Sequence, residues 1–278
     1  MSSNQNHVEA AQVGTVVSGD EVECRPGLLS VVMVVRNGGA MLEQSLASCS
    51  FASEIVVVDD FSQDDTVAIA ERFGARVFRR ALDGDWAAQQ NFAMQQATCP
   101  WVLLVDHDEV VSPELAASVM AVVQSDRLRI YSVKRINRFV QVKVSHGMFR
   151  PDWVVRLFPR VGTRWEGCVH SSVVGPYPTA KLTRGVLYHC TVRDLPQYWY
   201  KMMRYAELSA LKYQANGRRI GILRHIVLRP IWSFFQSYFL WLGFLDGVLG
   251  WYFAWQYASY TMNKYMQLYI LQRYDGNL

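Results

Sequence analysis

The sequence predicts an α/β protein in which helices flank a mostly parallel sheet and an aromatic-rich helical appendage follows at the C-terminus. Two observations carry this prediction. In the first half of the chain, short apolar runs typical of buried strands alternate with segments of helical length. In the second half, the 34 residues of 230–263 contain no Lys or Arg and are rich in Trp, Phe, Tyr and Leu.

Four apolar runs are predicted as strands of the sheet, at 29–35, 55–58, 75–78 and 101–105. Between and after them lie four predicted helices, at 41–49, 66–73, 86–97 and 113–123. Asp64 or Asp65 can cap the second helix, which Gly74 ends, and Ser112 with Pro113 can begin the fourth. Strands and helices that alternate in this way form right-handed βαβ units.

Polar residues follow three of these strands directly. Asn37 follows the first, Asp59 and Asp60 end the second, and the sequence Asp106-His107-Asp108 follows the fourth. Ligands of parallel α/β sheets bind beyond the carboxyl ends of the strands. The sequence therefore predicts a binding cleft at this edge of the sheet.

Asp106, Asp108 and Glu109 place three carboxylates within four residues. Crowded carboxylates resist joint ionisation unless a cation neutralises them, and hard oxygen ligands suit Mg²⁺ or Mn²⁺ bridged to a diphosphate. We therefore expect a metal site here, with His107 turned to the opposite side of the strand end. A solvated acidic turn that caps the next helix is the alternative.

The ligand is expected to carry phosphate, but two common phosphate-binding loops are missing. The first strand leads into Arg36-Asn37-Gly38-Gly39, which lacks the spacing of G-x-G-x-x-G, and the chain contains no G-x-x-x-x-G-K. Asp59 or Asp60 can accept hydrogen bonds from a ribose or a uracil. Turn formation and helix capping are the alternative for this acidic pair.

Positive charge is concentrated in residues 127–164, which contain ten Lys or Arg and one acid, Asp152, although the whole chain carries only +4. A phosphate-rich substrate, an anionic lipid headgroup, a nucleic acid or a merely solvated face would each fit this charge. Because no nucleic-acid-binding motif accompanies it, we expect no nucleic-acid partner.

The five cysteines form no C-x-x-C pair and fit a reducing cytoplasm. Residues 1–27 have no apolar core segment of a signal peptide and are expected to form a flexible leader. We divide the rest into three segments, at 28–125, 126–200 and 201–278.

Four motifs occur in order: SVVMVVRNGG, EIVVVDDFSQDDT, DWAAQQNFAMQQA and WVLLVDHDE. The series resembles the nucleotide-sugar domain of the family-two inverting glycosyltransferases, which have the GT-A fold. The continuation GMFRPDWVVRLFPR, RWEGCVHSSV and LYHCTVRDLPQYWYKMMRYA resembles the subgroup that includes bacterial lipopolysaccharide-core β-glucosyltransferases. The resemblance covers roughly residues 28–275. It implies a nucleotide-sugar-binding half at 28–125, an acceptor and catalytic half at 126–200, and a helical region for membrane association or oligomerisation at 201–278. It implies a metal-dependent hexosyltransferase that uses a nucleotide sugar, most simply a UDP-hexose, and a glycan or glycolipid acceptor.

The resemblance assigns roles on the donor side. Asp60 would hold the uracil or ribose, Asn91 would line the donor pocket, and Asn37 lies at the same edge. Asp106 and Asp108 would address the sugar, the metal and the diphosphate, with Asp108 as the direct metal ligand. Arg156, from the R-L-F pattern, would clamp the diphosphate, since guanidinium binds phosphate in a bidentate way.

The acceptor side departs from the family. Relatives commonly have V-H-E where this chain has Val169-His170-Ser171, so the role of that glutamate is absent or moved. His170 is still expected to bind the metal or the diphosphate. Asp152 is the predicted general base, kept ionised by Arg150 or Arg156, with Glu166 in reserve. A structural carboxylate paired with arginine is the alternative for Asp152.

The aromatic region 230–263 follows four arginines, Arg218, Arg219, Arg224 and Arg229. This arrangement predicts amphipathic helices at a membrane interface. Together with the resemblance, it implies a protein peripheral to the cytoplasmic face of the inner membrane. A homo-oligomer interface, a helical flap and a membrane span are the alternatives. The missing glutamate also leaves open a second function, a non-catalytic glycan-binding or membrane scaffold protein that retains the fold.

Overall fold

The structure is a computed structural model that describes residues 27–125, 127–139, 142–167, 172–192 and 195–274. The chain divides into two compact units. The first comprises Met1–Ser132 and Val155–Lys181, and the second comprises Val133–Val154 and Leu182–Leu278. The predicted acceptor half is divided between the two units, because residues 155–181 belong to the first unit with the nucleotide-sugar-binding half. The predicted helical region lies in the second unit.

The first unit begins with alternating strands and helices, as the sequence predicts. Its elements up to residue 125 are β1 (Leu29–Val35), α1 (Gly39–Ser48), β2 (Glu54–Asp59), α2 (Thr66–Arg72), β3 (Arg76–Arg79), α3 (Trp86–Gln96), β4 (Trp101–Leu104), β5 (Glu109–Val111) and α4 (Pro113–Ser125). All four predicted strands and all four predicted helices are present, with bounds that shift by a few residues. The short strand β5 was not predicted, because three residues give no usable periodicity.

The remaining strands are β6 (Ile130–Phe139), β7 (Val142–Lys143), β8 (Asp152–Pro159), β9 (Arg164–Glu166), β10 (Ser172–Val174) and β11 (Thr179–Val192). The sheet is parallel across β3, β2, β1 and β4, and β8 then pairs antiparallel with β4. The α/β fold class is confirmed, with a mixed sheet whose first part is parallel.

The register brings the predicted edge residues together. Val35 of β1 pairs with Asp59 of β2, and the amide of Val105 donates to the carbonyl of Val32 at 3.1 Å. The segments that follow β1, β2 and β4 therefore leave the sheet at one edge, as parallel strands require.

β-branched residues fill the centre of this sheet. Val32, Val56 and Val102 are fully buried and pack with the Ala93 face of α3 and with Phe158 of β8. Each such side chain contributes about 1.5–3 kcal/mol through burial. The strand ends that carry the polar residues are thus held by a rigid apolar base.

The turn after β1 depends on its residue types. Asn37 and Gly39 have φ of 53° and 49°, in the left-handed region that Asn and Gly tolerate. A Cβ on Gly38 would lie 2.8 Å from Cγ2 of Val35. The Asn-Gly-Gly sequence is therefore explained by a tight turn.

The second unit contains the predicted helical appendage, which is confirmed as helical and aromatic-rich. Its helices are α5 (Leu195–Ala215), a π-helical segment (Ile222–Leu228), α6 (Arg229–Phe235), a second π-helical segment (Gln236–Leu240), a 3₁₀ turn (Gly243–Asp246) and α7 (Gly247–Arg273). Phe149, Tyr198 and Phe253 meet in edge-to-face or tilted contacts with ring centroids 4.7–6.2 Å apart. Among the described residues, none of these helices combines the length and apolar character needed to cross a membrane.

Candidate functional site

The acidic sequence after β4 forms a closed turn in the first unit. The amide of Glu109 donates to the carbonyl of Asp106 at 2.9 Å, and the amide of Asp106 donates to Oε2 of Glu109 at 3.1 Å. Helix α1 holds this turn, because Ser45 Oγ donates to the Asp106 carbonyl and Ser48 Oγ accepts from the amide of Val111. The backbone that carries the carboxylates is therefore fixed by the neighbouring helix.

Arg156 of β8 lies under the turn and contacts two of its carboxylates. Its Nη2 is 2.6 Å from Oδ2 of Asp106 and 2.7 Å from Oε1 of Glu109. Burial raises the pKa of Glu109, and the Arg156 guanidinium opposes that rise. Burial also acts to lower the pKa of Arg156, but Asp106 and Glu109 outweigh it and raise that pKa. Arg156 thus anchors the acidic turn, a role that the sequence analysis did not assign to it.

The three carboxylates differ in exposure, which separates their roles. The Glu109 side chain is fully buried, whereas that of Asp106 is 38% exposed and Asp108 is partly exposed. Asp106 and Asp108 are the two whose oxygens can reach a ligand. Glu109 is a structural partner, which explains why a third acid follows the motif.

The donor chemistry of Asp106 and Asp108 fits Mg²⁺ or Mn²⁺, which prefer carboxylate oxygens and retain water or phosphate ligands. The described residues bring no group of three or more His, Cys, Asp or Glu side chains together as a metal cage. His170, the other predicted metal ligand, lies outside the described residues.

Asp60 and Asp59 have separate roles at the end of β2. Both oxygens of the fully buried Asp59 accept from the amide of Ser62 at 3.2 Å, so this residue builds the turn. Oδ1 of Asp60 accepts from the amide of Leu82 at 3.0 Å, and Oδ2 lies 3.3 Å from Arg36. Asp59 thus has the turn-forming role that was the alternative for this pair. Binding of the donor by Asp60 stays a prediction.

The two predicted asparagines each have a partner within the first unit. Asn37 Oδ1 accepts from the amide of Gln63 at 2.9 Å, which links the turns after β1 and β2. The Asn91 amide bonds both main-chain groups of Trp165, at 2.9 and 2.8 Å, and so fastens α3 to β9. A contact of either asparagine with a nucleotide sugar stays a prediction.

Two buried N–H donors in the first unit lack an acceptor among the described residues: Arg156 Nε and Trp165 Nε1. Buried donors in folded proteins are nearly always satisfied by protein, water or ligand. The acceptor of each donor is therefore expected to be water, a bound molecule or a residue outside the described ranges.

The predicted bases, Asp152 and Glu166, are both paired with arginine. Asp152 forms a bidentate pair with Arg135, at 3.1 and 2.7 Å, so the expectation that Arg150 or Arg156 holds it was wrong. Arg150 instead lies 3.8 Å from the ring centre of Trp241 in the second unit. Glu166 pairs with Arg164, and both side chains are at least half exposed.

A histidine–carboxylate pair in the second unit was not predicted from the sequence. His146 Nδ1 lies 2.8 Å from Oδ1 of Asp246, whose Oδ2 accepts from the amides of Ser145 and His146 at 3.1 and 2.8 Å. A carboxylate that orients an imidazole is a common general-base arrangement. One hundred residues separate the partners, and no local pattern in the sequence points to their contact.

Residues 30–178 match Glycosyl transferase family 2. The chain belongs to this family. An uncharacterized glycosyltransferase of Rickettsia typhi is 26% identical over 236 residues, with 80% of each chain covered. The lipopolysaccharide core biosynthesis glycosyltransferase LpsC of Rhizobium meliloti is 25% identical over 264 residues, which is 88% of this chain and 94% of LpsC.

Among solved structures, S. aureus TarS 1–349 is similar with a TM-score of 0.45 and 16% identity, over 89% of this chain and 92% of that one. Family membership confirms the resemblance drawn from the motifs and the GT-A fold class. The protein is a glycosyltransferase, and this finding favours an enzyme over the non-catalytic scaffold alternative.

Proposed function

We propose that this family member is a metal-dependent, inverting hexosyltransferase that uses a UDP-hexose and a bacterial surface glycan or lipid-linked acceptor. The observation that carries the proposal is the anchored acidic turn: Arg156 and Glu109 hold Asp106 beyond β4, at the same sheet edge as Asp60. The name of LpsC, a lipopolysaccharide core biosynthesis enzyme, supports the acceptor class.

On the donor side, Asp60 would accept hydrogen bonds from the uracil or ribose, while Asp106 and Asp108 would address the sugar and the diphosphate. Asp106 and Asp108 would also hold Mg²⁺ or Mn²⁺, which would neutralise charge on the leaving diphosphate. Because Arg156 is engaged by two carboxylates, its part in clamping phosphate would be indirect, by fixing Asp106. Asn37 and Asn91 would shape the donor pocket through the turns and strand that they fasten.

On the acceptor side, Asp152 is the proposed general base. Its carboxylate pairs with Arg135, and nearly half of its side chain is exposed, so an acceptor hydroxyl could reach it. The reaction would remove the proton of an acceptor hydroxyl as that oxygen attacks the anomeric carbon, and the nucleoside diphosphate would leave. His146 with Asp246 is the competing base, and Glu166 remains in reserve.

The proposed place of action is the cytoplasmic face of the inner membrane. Large apolar side chains of the second unit are exposed, among them Leu223, Ile231 and Val248 at 67%, 62% and 82%. A surface of this kind fits interfacial attachment or a homo-oligomer contact. We favour attachment because the basic residues of the same region complement anionic lipid.

A thermal-shift panel of UDP-, GDP- and dTDP-sugars, each with and without Mn²⁺, tests the donor proposal. A bound ligand stabilises the native state by mass action. UDP-sugars should raise the melting temperature in a metal-dependent way, and Asp108→Asn should remove the metal-dependent part. Equal stabilisation by all three nucleotides, or none that depends on metal, would contradict the proposal.

A further inference from the structure

A cavity of about 830 Å³ in the second unit lies among α6, α7 and the π-helical segment Ile222–Leu228. Its lining combines three cations, Arg224, Arg229 and Lys264, with aromatic and apolar side chains. The described residues that line it include no Asp or Glu. The cavity is therefore cationic and partly apolar.

Two of these cations, Arg229 and Lys264, lie around one tyrosine together with Arg218. Arg229 Nη1 donates to Oη of the buried Tyr265 at 3.0 Å, while Lys264 Nζ and the Arg218 guanidinium lie 5.2 and 5.7 Å from its ring centre. In the part of the chain that the structure describes, none of these cations forms an ion pair with a carboxylate. Cation–π contacts offset only part of the repulsion between them.

Burial and the excess of positive charge lower the pKa of two groups in this region, Lys264 and His225. Burial, followed by Arg229 and Arg218, lowers the pKa of Lys264. Burial lowers the pKa of His225 as well, and the same arginines add to the effect. A bound anion would relieve this repulsion and raise the pKa of Lys264 again.

Exposed apolar side chains surround the cavity. Leu228, Ile231, Trp232 and Phe235 line it, with 52%, 62%, 53% and 43% of their surfaces exposed. An anionic group in the cavity would thus sit beside a water-exposed apolar surface. This combination matches an amphiphile better than a soluble phosphate, which gains nothing from the apolar residues.

We propose that this cavity binds the phosphate of an anionic phospholipid headgroup, while the apolar side chains beside it enter the membrane interface. The inference rests on the membrane attachment in the proposed function and is independent of sugar transfer. A second copy of the chain fits less well, because a two-fold contact centred on this face would set cations against cations.

The test compares two double variants with the same loss of charge. Arg224→Gln/Lys264→Gln removes two cavity cations, and Lys212→Gln/Arg219→Gln removes two basic residues outside the cavity lining. Arg229 is left intact because its hydrogen bond to Tyr265 belongs to the packing. Vesicles of phosphatidylcholine alone, or of equal parts phosphatidylcholine and phosphatidylglycerol, are floated with each full-length protein.

We expect the wild type to float with the phosphatidylglycerol vesicles only. The cavity variant should bind them about tenfold more weakly than the control variant, because charge-assisted hydrogen bonds to a phosphate exceed diffuse surface attraction. UDP-sugar stabilisation should be the same in both variants, so a failure of the donor proposal would appear separately.

Three results would overturn the inference. Equal losses in the two variants would show only diffuse charge attraction. A rise in melting temperature with millimolar inorganic phosphate, at constant ionic strength, as large as the rise with phosphatidylglycerol vesicles would assign the cavity to a soluble anion. No vesicle binding, with a dimer by light scattering that the Trp232→Ser variant dissociates, would assign the face to a second copy.

Discussion

Arg156→Gln is the variant that tests the anchored acidic turn most directly. It leaves Glu109 buried without its cation, and removing one partner of a buried ion pair costs about 3–5 kcal/mol. The second contact of Arg156 adds less, because the Asp106 side chain is 38% exposed and a pair of that kind contributes about 0–1 kcal/mol. We therefore expect a loss of about 3–5 kcal/mol in the free energy of unfolding.

Arg164→Gln is the matched control, since it also breaks an Arg–Glu pair. Its side chain is 66% exposed and that of Glu166 is 50% exposed, so the cost should stay below about 1 kcal/mol. Replacing both Arg156 and Glu109 by Met should restore much of the stability lost in Arg156→Gln, because apolar residues of similar volume leave no buried charge.

Urea denaturation followed by tryptophan fluorescence measures these differences. Hydrogen exchange at the amides of β4 and β8 then shows whether the transition belongs to the first unit. If Arg156→Gln costs no more than Arg164→Gln and weakens only the binding of UDP-sugar, Arg156 is a diphosphate clamp and the anchoring argument is refuted.

Three further predictions concern chemistry and pH. Asp108→Asn should lower transfer by more than about tenfold and leave the free energy of unfolding within about 1 kcal/mol of the wild type, whereas Asp65→Asn, at an N-cap without a side-chain hydrogen bond, should change neither. Asp152→Asn should lower transfer by about 100-fold with unchanged donor affinity, and a loss confined to His146→Gln would move the base there. Burial raises the pKa of the Cys49 thiol from 9.0 to about 12. The thiol therefore loses its proton at a lower pH in the unfolded chain than in the folded one, and the free energy of unfolding should fall by up to about 4 kcal/mol as the pH rises from 9.0 towards 12. Cys49→Ala should remove that slope from pH-dependent denaturation curves.

The fold of the first unit was predictable because its central strands β1, β2 and β4 are largely buried on both faces. Runs such as Val56 to Val58 contain no polar residue, and Gly74 or Pro113 marks where a helix ends or begins. The division into compact units was less accessible. Residues 155–181 return to the first unit after an excursion into the second, and this return depends on pairing between strands far apart in sequence.

The site was predictable where chemistry is local. Asp106 and Asp108 were predicted from their spacing, and Asp60 was predicted from its position at the end of β2. Side-chain partners were not predictable in this way. Asp152 pairs with Arg135 although Arg150 is closer in sequence, because the positions of β6 and β8 determine which side chains are in contact.

The anchoring of Asp106 explains why a third acid belongs to this motif. An arginine with one carboxylate partner would draw Asp106 away from a ligand, since a lone buried guanidinium needs a counter-charge. Glu109 supplies that counter-charge from the interior, and Arg156 can then touch Asp106 while the outer part of that carboxylate stays exposed. By this reasoning Glu109→Gln should weaken metal-dependent donor stabilisation although Glu109 itself is fully buried, because Asp106 would become the main partner of Arg156. Unchanged donor stabilisation in that variant, with a folded first unit by hydrogen exchange, would show that Asp106 is held by the turn alone.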